Sequence, residues 1–196
     1  MAANALAIAN SALAKIGNYK ITDLSSTTNV QAVILNEQYS KNRDALLRSH
    51  PWNFALKRAT LVADATAPDW GFSVRYPIPS DCLRILETDA DTLSSIGEFD
   101  SGPWQKEGSW ILTDQNPFSI KYIYQVTDTT LFDACFDEVL ACKLAADVCY
   151  AITQSTTLAD LLEKQYRYKL AEARSFDGQE GGVRQPYARE WLNSRY

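Results

Sequence analysis

Few side chains in this chain could do chemistry, and their spacing limits what that chemistry could be. There is one histidine, His50, and there are four cysteines, Cys82, Cys135, Cys142 and Cys149. A Ser-His-Asp or Cys-His centre would have to use His50, because the nucleophile needs its base within hydrogen-bond reach. His50 directly precedes Pro51 in a run that reads as a packed corner, which suits structure better than catalysis. Cys135, Cys142 and Cys149 recur every seven residues, so on a helix they trace one slowly drifting stripe. Successive members then lie about 10 Å apart along the axis, given a rise of roughly 1.5 Å per residue. Neither a disulfide nor a shared metal ion reaches that far. With no CxxC present, small buried apolar thiols are the expectation.

Carboxylates and aromatics offer the other candidates. Asp81, Glu98, Asp100 and Asp114 could pair for glycoside cleavage, although surface loops and turn caps are the usual place for such residues. Trp70, Phe72, Trp104 and Trp110 could form a sugar-binding platform. The area such rings bury favours the core of a small sheet instead. GxGxxG, Walker, GxSxG and HExxH motifs are absent. The sequence therefore points to no catalytic residue, no metal and no cofactor.

These residues must be positioned by a chain of 196 residues, long enough for one large domain or a domain with a substantial insertion. Its 46% apolar content is ordinary for a globular protein. A net charge of −5 argues against a nucleic-acid surface built on general basic charge, while leaving room for a local patch. No uninterrupted apolar run approaches the ~18 residues of a membrane span. The opening, MAANALAIANSALAKIG, lacks the cationic start of a signal peptide. A soluble protein made in the cytoplasm is expected.

Helical spacing predicts a first helix over 3–16 with Gly17 as its stop. Thr28 with Gln31 fits a capping box, opening a second helix that runs to about Ser49. Pro51 ends it, because the ring blocks a backbone hydrogen bond and pushes His50 towards extended geometry. Trp52, Phe54 and Leu56 then alternate, the period of a half-buried strand. Val74, Tyr76 and Ile78 alternate with Pro77 and Pro79 between them, which suggests an edge strand. Glu107-Gly108 between Trp104 and Trp110 reads as a hairpin turn, and Ile120, Tyr122 and Tyr124 as a further strand. Residues 88–102 are acidic and polar, as a loop would be.

A third helix over 132–152 carries Phe136, Val139, Leu140, Leu144, Val148 and Tyr150 around most of its circumference, which marks a central helix with Asp147 on its one wet or paired edge. Thr157 and Asp160 cap a last amphipathic helix to about Phe176, with Leu158, Leu162, Tyr166, Leu170 and Ala173 inward. From Asp177 the chain reads as an extended arm, on account of Gly178, Gly181, Gly182 and Pro186. Within it, Arg184, Tyr187, Arg189, Trp191, Leu192, Arg195 and Tyr196 are residue types enriched at protein interfaces, which favours docking onto another subunit over folding back on its own domain. The expected fold class is α+β. It consists of a four-helix bundle (1–50 and 129–176), an inserted antiparallel β subdomain (51–128) and an extended C-terminal arm (177–196).

Three stretches carry a resemblance: RDALLRSHPWNFALKRATL from Arg43 to Leu61, YPIPSDCLRIL from Tyr76 to Leu86, and the long run that begins IKYIYQVTDTTLFDACFDEVLACKLAADVCYAITQS and continues through the helix of Tyr166. In this order they resemble the tail tubular protein A family, the head-to-tail adaptors of short-tailed bacteriophages. That resemblance implies a helical bundle with a β-rich insertion, forming a wedge of a ring, a dodecamer in the family. The ring sits beneath the portal protein, meets the tail nozzle protein below and encloses the channel through which DNA passes without sequence-specific binding. Tail fibres are a further possible partner, and the virion neck is the implied location. Pro51, Trp52 and Phe54 are then a structural corner, and the arm residues an interface to a neighbour or the portal. Two other classes fit the residues: a connector of long-tailed phages, which lacks a large β insertion, and a tail-associated glycan-binding or glycan-cleaving module.

Overall fold

Asn4 opens the first helix, α1 (Ala5–Ile16), by accepting a hydrogen bond from the Ala7 amide at 2.7 Å. Gly17 closes it in the left-handed region at φ 81, where a side chain is disfavoured. The computed structural model describes residues 4–89 and 104–180. The second helix, α2 (Val30–Ser49), is capped by Asn29 rather than by a Thr28–Gln31 box. Asn29 Oδ1 accepts from the amides of Gln31 and Ala32, while Thr28 lies one residue too early and its hydroxyl meets Ser26. His50 ends α2 in extended geometry, as the following proline requires.

The third helix, α3 (Ala134–Thr153), starts at Asp133, whose carboxylate accepts from the Cys135 amide. It packs against α1, α2 and the last helix, α4 (Thr156–Gln179), and is central in that sense. Tyr150, expected within its apolar cover, is exposed, whereas Asp147, expected at its wet or paired edge, faces solvent beside Lys143 at 3.5 Å. Gln154 closes α3 at φ 55, and Ser155 caps α4 by accepting from the Leu158 amide. Ser155 displaces Thr157 and Asp160 as the cap because only Gln154 and Ser155 separate the two helices. Helix α4 also continues past Phe176 through Asp177 and Gly178, so the first residues assigned to an arm are helical.

Among the described residues the β region forms two three-stranded antiparallel sheets. The first joins β1 (Leu56–Leu61), β6 (Phe118–Tyr124) and β3 (Cys82–Thr88) with β6 in the middle. The second joins β2 (Val74–Pro77), β5 (Trp110–Thr113) and β4 (Gln105–Glu107), with Gly108 at φ 54 turning the hairpin. As its prolines imply, β2 lies at an edge. The strand expected from Trp52 begins instead at Leu56, because Asn53–Ala55 forms a short 3-10 turn.

The buried side chains of the described residues group into two cores. One lies among the helices and takes in Trp52, Ala55, Ile123 and Val126. The other, of Tyr76, Ile111, Phe118, Ile120 and Tyr122, lies between the sheets. Strand β6 serves both, since Phe118, Ile120 and Tyr122 face one way and Ile123 the other. The fold is α+β.

Candidate functional site: a clasped corner

Trp52, which caps the 3-10 turn, and Phe54 within it both pack against the helical core. Trp52 is 1% exposed, and its indole N–H donates to the Leu46 carbonyl at 3.1 Å. Its ring meets Phe136 edge-on at 5.3 Å, Phe54 meets Phe136 at 5.0 Å, and Phe132 completes the cluster at 4.9 Å from Phe136. Such T-shaped pairs set the positive edge of one ring against the negative face of another.

Helix α4 clasps the same corner from outside. Asp177 Oδ1 accepts from the Asn53 amide at 2.9 Å, and Oδ2 lies 2.9 Å from His50 Nε2. The Asn53 side-chain amide donates to the Asp177 carbonyl at 2.7 Å. One turn earlier, Arg174 donates to the carbonyl and hydroxyl of Ser49. Ser49, His50 and Asp177 hold the three residue types of a hydrolytic triad, but the Ser49 hydroxyl donates to the Leu46 carbonyl at 2.8 Å. His50 therefore orients a carboxylate and a turn, and no nucleophile is aligned on it.

A second tie runs from the corner to the sheets. The Arg48 guanidinium donates to the Leu83 carbonyl on β3. Asp81 accepts from Lys57 at 2.9 Å and from the Tyr122 hydroxyl at 3.1 Å, and its carbonyl takes the Gln125 amide at 2.7 Å. Burial pushes the Asp81 carboxyl up, but the bonds from Lys57 and Tyr122 outweigh it and hold the group below the usual carboxylate range. Between α2 and α3, Asn42 and Arg43 are buried, with Arg43 on Asp44 and Asp44 on Gln125. Burial, helped by the charge of Asp133, raises Asp137 to about 6, and burial raises Tyr39 to about 12.

The remaining candidates are dispersed. Asp114 accepts from the amide and hydroxyl of Ser73, and Asp81 from Lys57 and the Tyr122 hydroxyl, so both carboxylates are engaged in local structural bonds. Glu98 and Asp100 lie outside the described residues. All four cysteines are free; Cys142 and Cys149 are buried, whereas Cys82 and Cys135 are only half-buried. Among the described residues no group of His, Cys, Asp or Glu is placed to hold a metal ion. No described helix is long and apolar enough to cross a membrane.

The four aromatics do not share one fate. Trp104 packs against the sheet core, but Trp70 is 86% exposed, and Phe72 and Trp110 line a surface groove with it. Trp110 takes the outward side of β5 because Ile111 beside it turns in. Arg184, Tyr187, Arg189, Trp191, Leu192, Arg195 and Tyr196 lie outside the described residues.

No family model matches the chain, and no curated protein matches it in sequence. Asp177 and Arg174 are the site residues that sequence reasoning missed. Asp177 follows Ala173 by one helical turn on the inward stripe, a continuation that the adjacent Gly178 obscured.

Proposed function

We propose that this chain is a structural virion protein, a head-to-tail adaptor that forms a ring between portal and tail nozzle and encloses the DNA channel. The supporting observation is that the three stretches resembling the tail tubular protein A family meet in one packed junction. Trp52 and Phe54 of the first stretch pack on Phe132 and Phe136 of the third. Arg48 and Lys57 of the first bind Leu83 and Asp81 of the second. Tyr122 of the third binds that same Asp81. A shared core and shared polar ties are what make residues distant in sequence vary together, so a resemblance spread over three stretches is expected of one junction.

In this reading the four helices act as a bundle (1–50 and 129–176), residues 51–128 are an inserted β subdomain, and 181–196 form an arm that docks on a neighbour or the portal. The acidic balance suits a conduit, because a channel that gripped DNA through counterion release would impede its passage. Mixing the purified protein with portal rings of its own phage tests the reading by mass. A monomer that becomes a ring on the portal supports it, and a protein that ignores the portal overturns it.

A further inference from the structure

The outward face of the second sheet carries a groove that the adaptor reading does not use. Cross-strand partners share a face, so Glu107 stands beside Trp110, and Arg75 and Gln105 stand on either side of Leu112. The loop 66–72 closes over this face and leaves a cavity of about 270 Å³, near the lower end of small-ligand clefts. Trp70, on that loop, is 86% exposed.

The groove is preorganised. Asp64 receives Arg75 through two bonds, at 3.1 and 2.8 Å, and also the Thr66 amide at 2.9 Å. This fixes the start of the loop and lays the Arg75 guanidinium over the Trp110 ring at 4.3 Å. Ser73 bonded to Asp114 fixes the loop's end, and Gly71 at φ 88 makes the bend beside Trp70. A ligand entering would find its partners already ordered, which lowers the entropic cost of binding.

We propose that this groove binds a neutral oligosaccharide, with one pyranose ring stacked on Trp70 and its hydroxyls on Gln105, Glu107 and Arg75. The axial C–H groups of a pyranose carry partial positive charge and suit the negative face of an indole. Hydroxyls both donate and accept, and the lining supplies both kinds of partner: Arg75 and Gln105 donate, Glu107 and Asp69 accept. That mixture of signs opposes a charged ligand, since an anion meets Glu107 and Asp69 and a cation meets Arg75. The proposal does not rest on the adaptor reading, and its test involves no portal.

The full-length protein is titrated with cellohexaose, maltohexaose, chitohexaose and laminarihexaose, and tryptophan fluorescence and heat are recorded. At least one hexaose should give saturable binding. Trp70→Ala should weaken it at least tenfold, about 1.4 kcal/mol, while Trp70→Phe recovers much of the loss and neither variant shifts the melting temperature. No saturable signal from any of the four at millimolar concentration overturns the proposal, as does unchanged affinity in Trp70→Ala. Binding of a lysine-rich peptide where every hexaose fails also overturns it and gives the groove to a cationic partner.

Discussion

Trp52 shows how much a single side chain decides here. It is buried, donates to the Leu46 carbonyl and anchors the aromatic cluster, so Trp52→Ala should cost about 3–5 kcal/mol in denaturant unfolding. Asp177→Ala removes a smaller but specific tie. It leaves the Asn53 amide and His50 without their carboxylate and should cost about 1–3 kcal/mol. Asp137 gives stability a pH dependence. Burial raises its carboxyl from an ordinary 3.8 to about 6, so the folded state holds this proton more tightly than the unfolded chain does. This contribution is fully present below pH 3.8 and is lost as pH rises through about 6. Thermal melts of Asp137→Asn should lack that decline; an unchanged pH profile would contradict the assignment. Trp52 and Phe54 were legible as packing residues because two large aromatics after a helix-breaking proline have few other uses. Asp137 and Tyr39 were not, because their shifts come first from burial, which the packing of the helices creates and no local spacing announces.

The elements were more legible than their ends. Asn29 took the cap expected at Thr28 and Ser155 the one expected at Thr157, shifts of one or two residues that any hydroxyl or amide side chain nearby can produce. The larger miss is the corner, where period-two spacing implied a strand from Trp52 but a 3-10 turn occupies Asn53–Ala55 and the strand starts at Leu56. Gln154 shows the same local economy, a non-glycine residue held at φ 55 so that α4 can turn straight back along α3. Gln154→Gly should therefore stabilise the protein by about 1 kcal/mol, read as a rise in melting temperature. The alternation of Val74 and Tyr76 survived intact, because a proline-bearing edge strand has one buried face and no competing pattern.

On the scale of the whole molecule, the fold class follows from the sequence but the division of its cores does not. Nothing in the order of residues announces that β6 serves two cores, with Ile123 among the helices and Phe118, Ile120 and Tyr122 between the sheets. Arg48 ties the second helix to Leu83 of the first sheet, Asp44 ties it to Gln125 just after β6, and Asp177 clasps the last helix to the corner. In the adaptor reading that junction is a rigid frame, and assembly belongs to the outer surfaces and to residues 181–196. Deleting residues 182–196 should leave the melting temperature unchanged while abolishing assembly on the portal, whereas a much lower melting temperature would return the arm to the core. The mass of the complex formed with portal rings bears most directly on function. The adaptor account predicts monomers that assemble into a closed ring on the portal and nowhere else, and a protein that stays monomeric beside intact portal rings would contradict it.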